Sequence, residues 1–318
     1  MGTLPMKHFL PFIALGALLL SPGLLEAKIV RTVEKTFKVQ PGGNLKATTQ
    51  GGDITVKTSD APEVRVQVRQ DIRASTEQEA DELLSKLTLT MDQAGNDVVV
   101  ESKYEKRGPG TWFGSWPPVA VSFVVTVPKN YHLNLNTSGG DIAVASLTGN
   151  VRARTSGGDL EFARIDGDLD ASTSGGDIKL LEGTAHAKLS TSGGDISVDR
   201  AGGATEVSTS GGDIHINSVA KLVSATTSGG DVRAVITEPL SQDTLLSTSG
   251  GDVDVKVVKG TGFHLDASTS GGDVEAEGLT ITIEKGGTGK HRLVGAVNGG
   301  GPALKLRSSG GDINVRTY

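Results

Sequence analysis

Ten aspartates in this chain follow a pair of glycines, and their spacing is regular. Asp141, Asp159, Asp177, Asp195, Asp213 and Asp231 step by 18; Asp252 and Asp273 follow at 21, and Asp312 after 39. Upstream, Gln50-Gly51-Gly52-Asp53-Ile54 is a separate copy. A fixed period of this length marks stacked repeats, each too thin to bury its apolar face alone. If successive coils lie about 4.8 Å apart, neighbouring carboxylates repel by roughly 0.9 kcal/mol even at the permittivity of water. Such a file needs donors, protons or cations.

Two chemistries compete for it. Aspartate holds tight turns by accepting from nearby backbone N–H groups, glycine supplies the positive φ that a reversal needs, and the preceding Thr-Ser hydroxyls can reach the next coil. The alternative is calcium, since the nonapeptide β-roll also joins glycines to aspartate and 18 is twice nine. That pattern requires Gly-Gly-x-Gly-x-Asp, and the second half of each repeat lacks it. The structural turn ladder is therefore expected, with Asp312 as its last rung and with no metal or cofactor.

Catalytic patterns are missing from the sequence. His8, His132, His186, His215, His264 and His291 share no metal-ligand spacing. Gly-x-Ser-x-Gly does not occur, and the glycine-rich pieces lack the lysine of a phosphate loop. Outward acids such as Glu161, Asp170, Asp199, Asp254 and Glu275 would suit a polysaccharide-cleaving solenoid, but such charges are usually a solvated face. No catalytic residue is assigned. One non-repetitive stretch remains, the loop 107–118 with both tryptophans. Trp112, Phe113 and Trp116 could stack on sugars or anchor a partner, or could fold over an open end of the stack as a cap.

The elements that must carry these residues are short strands. In Asp159 to Gly176, Leu160 and Phe162 oppose Glu161, and Leu169, Ala171 and Thr173 oppose Asp170, Ser172 and Ser174. Alternation of faces points Ile142, Leu160, Ile178, Ile196, Ile214, Val232, Val253 and Val274 inward as one column. Ala153, Ala171, Leu189, Val207, Ala225, Leu246 and Ala267 form a second. The expected fold is all-β: an elongated parallel β-solenoid of 18–21-residue coils over 136–318. A small α+β cap region over 28–135 should precede it. That region holds one helix, 76–87, opened by the capping-box order Thr76-Glu77-Gln78-Glu79. A hairpin around Ala94-Gly95-Asn96 and a long apolar strand, 119–127, should follow.

Composition agrees with a thin, exported body. The chain has 318 residues, 44 glycines, no cysteine and a net charge of −6. The balance argues against nucleic acid, which calls for a basic patch, and disulfides are excluded. Lys7 and His8 precede an apolar run too short to span a bilayer, and 1–27 reads as a signal peptide. The mature chain is then expected in the periplasm, at the envelope or outside, with no transmembrane segment.

The Thr-Ser-Gly-Gly-Asp-Ile repeats, the opening Phe37-x-Val39-x-Pro41-Gly42-Gly43 and the closing stretch Leu304 to Ile313 resemble the bacterial "putative adhesin" family of unknown function. The resemblance spans roughly 34–318. It implies a non-catalytic β-solenoid binding or scaffold module, with an envelope polysaccharide or surface protein as partner. A carbohydrate-active solenoid enzyme is the alternative.

Overall fold

The computed structural model describes residues 28–105 and 117–318. Within them 26 strands join one hydrogen-bonded sheet, and a single helix completes the secondary structure. Alternation decides the strands: Leu160, Phe162 and Ile165 of Leu160–Asp166 are buried while Glu161 is exposed. Both apolar columns form in register. Leu160 pairs with Ile142 and Ile178, and Ala171 with Ala153 and Leu189, each time in parallel strands one repeat apart. The side chains of these six residues are essentially inaccessible, while Val274 at the end of the first column is half-buried. The extra length of the longer repeats falls in the connections between Val232–Ile236 and Thr244–Ser247 and between Val253–Val257 and Phe263–Ser268.

The order of the stack departs from the order of the chain at both ends. The early strands Asn44–Thr48 and Ile54–Ser59 pair in parallel with His132–Asn136 and Ile142–Val144. The upstream Gly-Gly-Asp copy is thus the direct neighbour of the first repeat. Beyond it lie Asp97–Tyr104 and Val119–Pro128, which pair with the same early strands from the other side. At the far end Ala303–Arg307 lies between Thr244–Ser247 and Phe263–Ser268, and Ile313–Thr317 between Val253–Val257 and Val274–Glu277. Asp312 is therefore an interior rung, contrary to the expectation that it ends the ladder. Sequence spacing cannot reveal this, because every coil offers its neighbours the same backbone edge.

Antiparallel strands close the array. Glu63–Arg73 pairs with Val119–Pro128, Lys28–Lys38 with Glu63–Arg73, and Leu87–Ala94 with Asp97–Tyr104 around Gly95. At the other end Arg292–Val297 pairs antiparallel with both Phe263–Ser268 and Ile281–Gly289. The helix is Glu77–Ser85. The Thr76 hydroxyl accepts from the Glu79 N–H, while the Glu79 carboxylate takes the N–H of Ser75 rather than that of Thr76. Ala80 is its buried residue, and Arg31 ties the first strand to Glu77 and Asp81 at 2.8 and 2.7 Å.

Candidate binding surfaces

The Gly-Gly-Asp corner is built from four repeating hydrogen bonds. Around Asp195, the Asp195 N–H donates to Asp177 Oδ1 at 2.8 Å, and Asp195 Oδ1 accepts the Asp213 N–H at 2.7 Å. The Thr191 hydroxyl donates to the Gly176 carbonyl at 2.8 Å and accepts the Gly194 N–H at 3.4 Å. The Ile178 N–H donates across to the Asp195 carbonyl. The carboxylate bond recurs along the whole file in the order Asp53, Asp141, Asp159, Asp177, Asp195, Asp213, Asp231, Asp252, Asp312, Asp273. Each Oδ1 up to Asp312 thus answers a backbone donor that would otherwise be orphaned. Among the described residues no further Gly-Gly-Asp rung follows Asp273, and Lys290 pairs with its carboxylate at 3.2 Å. Threonine, or Ser308 in the motif of Asp312, does the hydroxyl work and is buried; the serine that follows it is exposed.

The glycines are there for a different reason than turn geometry suggested. None of the Gly-Gly-Asp glycines has a positive φ. A Cβ at the second one would instead sit 2.2 Å from the carbonyl oxygen of the coil below, as at Gly194 over Gly176. Hydrogen is the only side chain that lets the coils approach this closely. The first glycine is less crowded than the second but tightens along the file: Gly139 has nothing within 4 Å, whereas a Cβ at Gly250 would meet the Gly229 carbonyl oxygen at 2.8 Å.

A second polar ladder occupies another corner of the early coils. The Asn44 N–H and side-chain amide both donate to Asp97 Oδ1, at 2.9 and 2.8 Å. Asn150 N–H donates to His132 Nδ1, Asp168 N–H to Asn150 Oδ1, and His186 N–H to Asp168 Oδ1, at 3.0, 3.0 and 3.3 Å. Because His132 accepts through Nδ1, its neutral ring carries the proton on Nε2. The sequence did contain a signal for this ladder: positions 132, 150, 168 and 186 step by 18. Its rungs differ in type, so no repeated motif announced it, and the histidines read as scattered.

Next to this ladder the outward side chains of the same strands line a groove of about 690 Å³. Lys46, Asn134, Arg152, Asp170 and Lys188 stand in register across its floor. Arg152 and Arg154 hold Asp170 at 3.0 and 3.4 Å. Under the groove's edge, Tyr131 is fully buried with its hydroxyl on the Asn96 carbonyl. Burial, with the nearby Asp97 charge, pushes its phenol up to about 12. Elsewhere Arg164 bridges Asp166 and Glu182, and its guanidinium holds the Asp166 carboxyl below the usual carboxylate range. Among the described residues no cluster of three or more metal-ligating side chains occurs, and no helix is long and apolar enough to cross a membrane. Trp112, Phe113 and Trp116 lie outside the described residues.

The model of one protein family matches residues 42–316, nearly the full repeat architecture just described. The chain belongs to the Toastrack DUF4097 family. No protein of curated function matches this toastrack chain. Among solved structures, a "putative adhesin" from Parabacteroides distasonis ATCC 8503 is similar at 15% identity and a TM-score of 0.45, over 91% of this chain and 97% of its own. A "putative lipid binding protein" from the same organism gives 14% and 0.41, over 89% and 96%. A "putative adhesin" from Bacteroides fragilis NCTC 9343 gives 12% and 0.33, over 91% and 97%.

Proposed function

We propose that this toastrack chain is a non-catalytic binding or scaffold module of the bacterial envelope, exported by the leader 1–27. In-register parallel pairing of strands one repeat apart supports reading the array as a flattened β-solenoid of 18–21-residue coils, a stiff rod on which one face does the recognising. The observation that carries the reading is the 690 Å³ groove, where a rigid sheet presents lysine, arginine, asparagine and histidine side by side. Its occupant is a hydroxyl-rich or polar polymer such as an envelope polysaccharide, or a surface protein segment. The Trp112/Phe113/Trp116 loop is a second proposed contact.

The test is a screen of the purified mature chain against glycans and envelope components, repeated with Asn134→Trp to block the groove. Ser197→Trp, on the outward side of another strand, is the control. Loss of binding in Asn134→Trp alone supports the groove. Equal binding by both variants removes it and turns attention to Trp112→Ala with Trp116→Ala. Release of new reducing ends from a cell-wall polysaccharide would overturn the non-catalytic reading in favour of a carbohydrate-active enzyme.

A further inference from the structure

The coil 303–317 holds an unusual place. It is filed between coils 244–257 and 263–277, both of which precede it in the chain. On one side Leu304 and Leu306 meet Thr244 and Leu246; on the other they meet Leu265 and Ala267. In the facing layer Ile313 stands between Val253 and Val274. The corner ladder passes through it as well. Asp312 N–H donates to Asp252 Oδ1 at 2.7 Å, and Asp312 Oδ1 accepts the Asp273 N–H at 2.8 Å. Among the described residues coil 263–277 pairs in parallel with nothing else, so it joins the array through this inserted coil and the connection before it.

The segment that delivers the coil is a tight hinge. Asn298, Gly299, Gly300 and Gly301 all have positive φ, at 47, 93, 89 and 154°. Among the described residues Asn298 is the sole non-glycine residue in that region, and a left-handed Asn is held there by its surroundings. It is fixed by its amide to the Thr261 carbonyl at 3.0 Å and by the Gly300 N–H to the Val297 carbonyl at 2.9 Å. Short hinges under strain favour exchange of the element they carry, since extension relieves the hinge and every other contact is remade.

We propose that coil 303–317 is an exchangeable element and that its slot is an interaction site for the same coil of a second copy of this chain, giving a reciprocal dimer. Within one copy the hinge keeps the coil at a high effective concentration, so the closed form dominates in dilute solution. The exchanged form gains at high local concentration, as on a surface.

The chain has no cysteine, which permits a direct test with the full chain. Asp254 Oδ1 and Asn314 Nδ2 are 3.1 Å apart on paired strands, and Glu275 pairs with Asn314 from the other side. Asp254→Cys and Asn314→Cys chains are mixed at high concentration in mild denaturant, returned to native buffer and oxidised; Glu275→Cys with Asn314→Cys is treated alike. Both mixtures should give disulfide heterodimers roughly tenfold or more above a Ser197→Cys plus Asn314→Cys control. Placing each pair within one chain should close an internal disulfide, which checks the register. Internal closure without heterodimers overturns the proposal. So does cross-linking to residue 254 but not 275, since the unit exchanged would then be the whole of 263–318. Failure of the internal disulfides overturns it too, because the coil would not occupy the slot.

Discussion

Two corners of the same array solve the same problem with different residues. At each, a tight bend leaves a backbone N–H facing the coil below, and a side-chain acceptor one layer down receives it. At the Gly-Gly-Asp corner the acceptor is aspartate from Asp53 to Asp312, with the Ser122 hydroxyl receiving the Asp53 N–H at the start of the file; the hydroxyl is threonine or, at position 308, serine, and the close approach is always glycine. At the other corner the acceptors are Asp97, His132, Asn150 and Asp168; the series breaks after His186 and recurs where Asp243 Oδ1 accepts the Ala303 N–H at 2.9 Å. A bend that must repeat closely admits one solution, whereas a bend bordering the proposed recognition surface can vary. Uniformity therefore points to architecture, and the irregular corner to the groove beside it.

The comparison can be broken most sharply at a glycine. Gly194→Ala forces a Cβ into a backbone carbonyl that cannot swing aside, and should cost about 3 kcal/mol or more. Gly139→Ala, in open space, should leave chemical denaturation nearly unchanged. Equal losses would mean that the corner is not packed as tightly as its geometry implies.

Next in size is the acceptor. Asp195→Ala orphans the Asp213 N–H and should cost about 1–3 kcal/mol; Asp195→Asn, which keeps an oxygen and relieves repulsion, should cost less. Asp312→Ala should resemble Asp195→Ala, since Asp312 is an inner rung, while Asp273→Ala at the last rung should be milder. A melting temperature that falls on adding a chelator would mean that the file holds cations, as linkage requires.

Alkaline titration separates the groove end from the rest. Tyr131 is raised from 10.0 to about 12. The folded state favours the protonated phenol, so its stabilisation is complete below pH 10, is lost as pH rises to 12, and amounts to about 2–3 kcal/mol. Tyr131→Phe should flatten that part of the stability curve. If wild type and variant lose stability in parallel between pH 10 and 12, the phenol is not responsible.

The smallest expected effect on stability is at the irregular corner. Asn150→Ala removes the acceptor for the Asp168 N–H beside open solvent, and should cost less than about 1 kcal/mol because water can replace it. Ligand binding in the groove should fall nonetheless. A loss as large as that of Asp195→Ala would make this ladder architectural as well.

What the sequence determined by itself was local and periodic. Period-two alternation set the inward columns, so Leu160 and Ala171 meet the partners their spacing names. Thr76 and Glu79 opened the helix, and Gly95 turned the hairpin. Tertiary structure decided which coils are neighbours at the ends, because strand edges carry the same N–H and C=O groups whatever their sequence. Loop length and end closure choose among such equivalent edges, which is how 44–59 comes to rest on 132–144 and 303–317 comes to split 244–257 from 263–277. Only the packed stack explains the second glycine of each motif, whose reason is the carbonyl of the next coil and not the turn it sits in. The groove likewise needed the stack, since residues as different as His132, Asn150, Asp168 and His186 become one ladder only when four coils are laid in register.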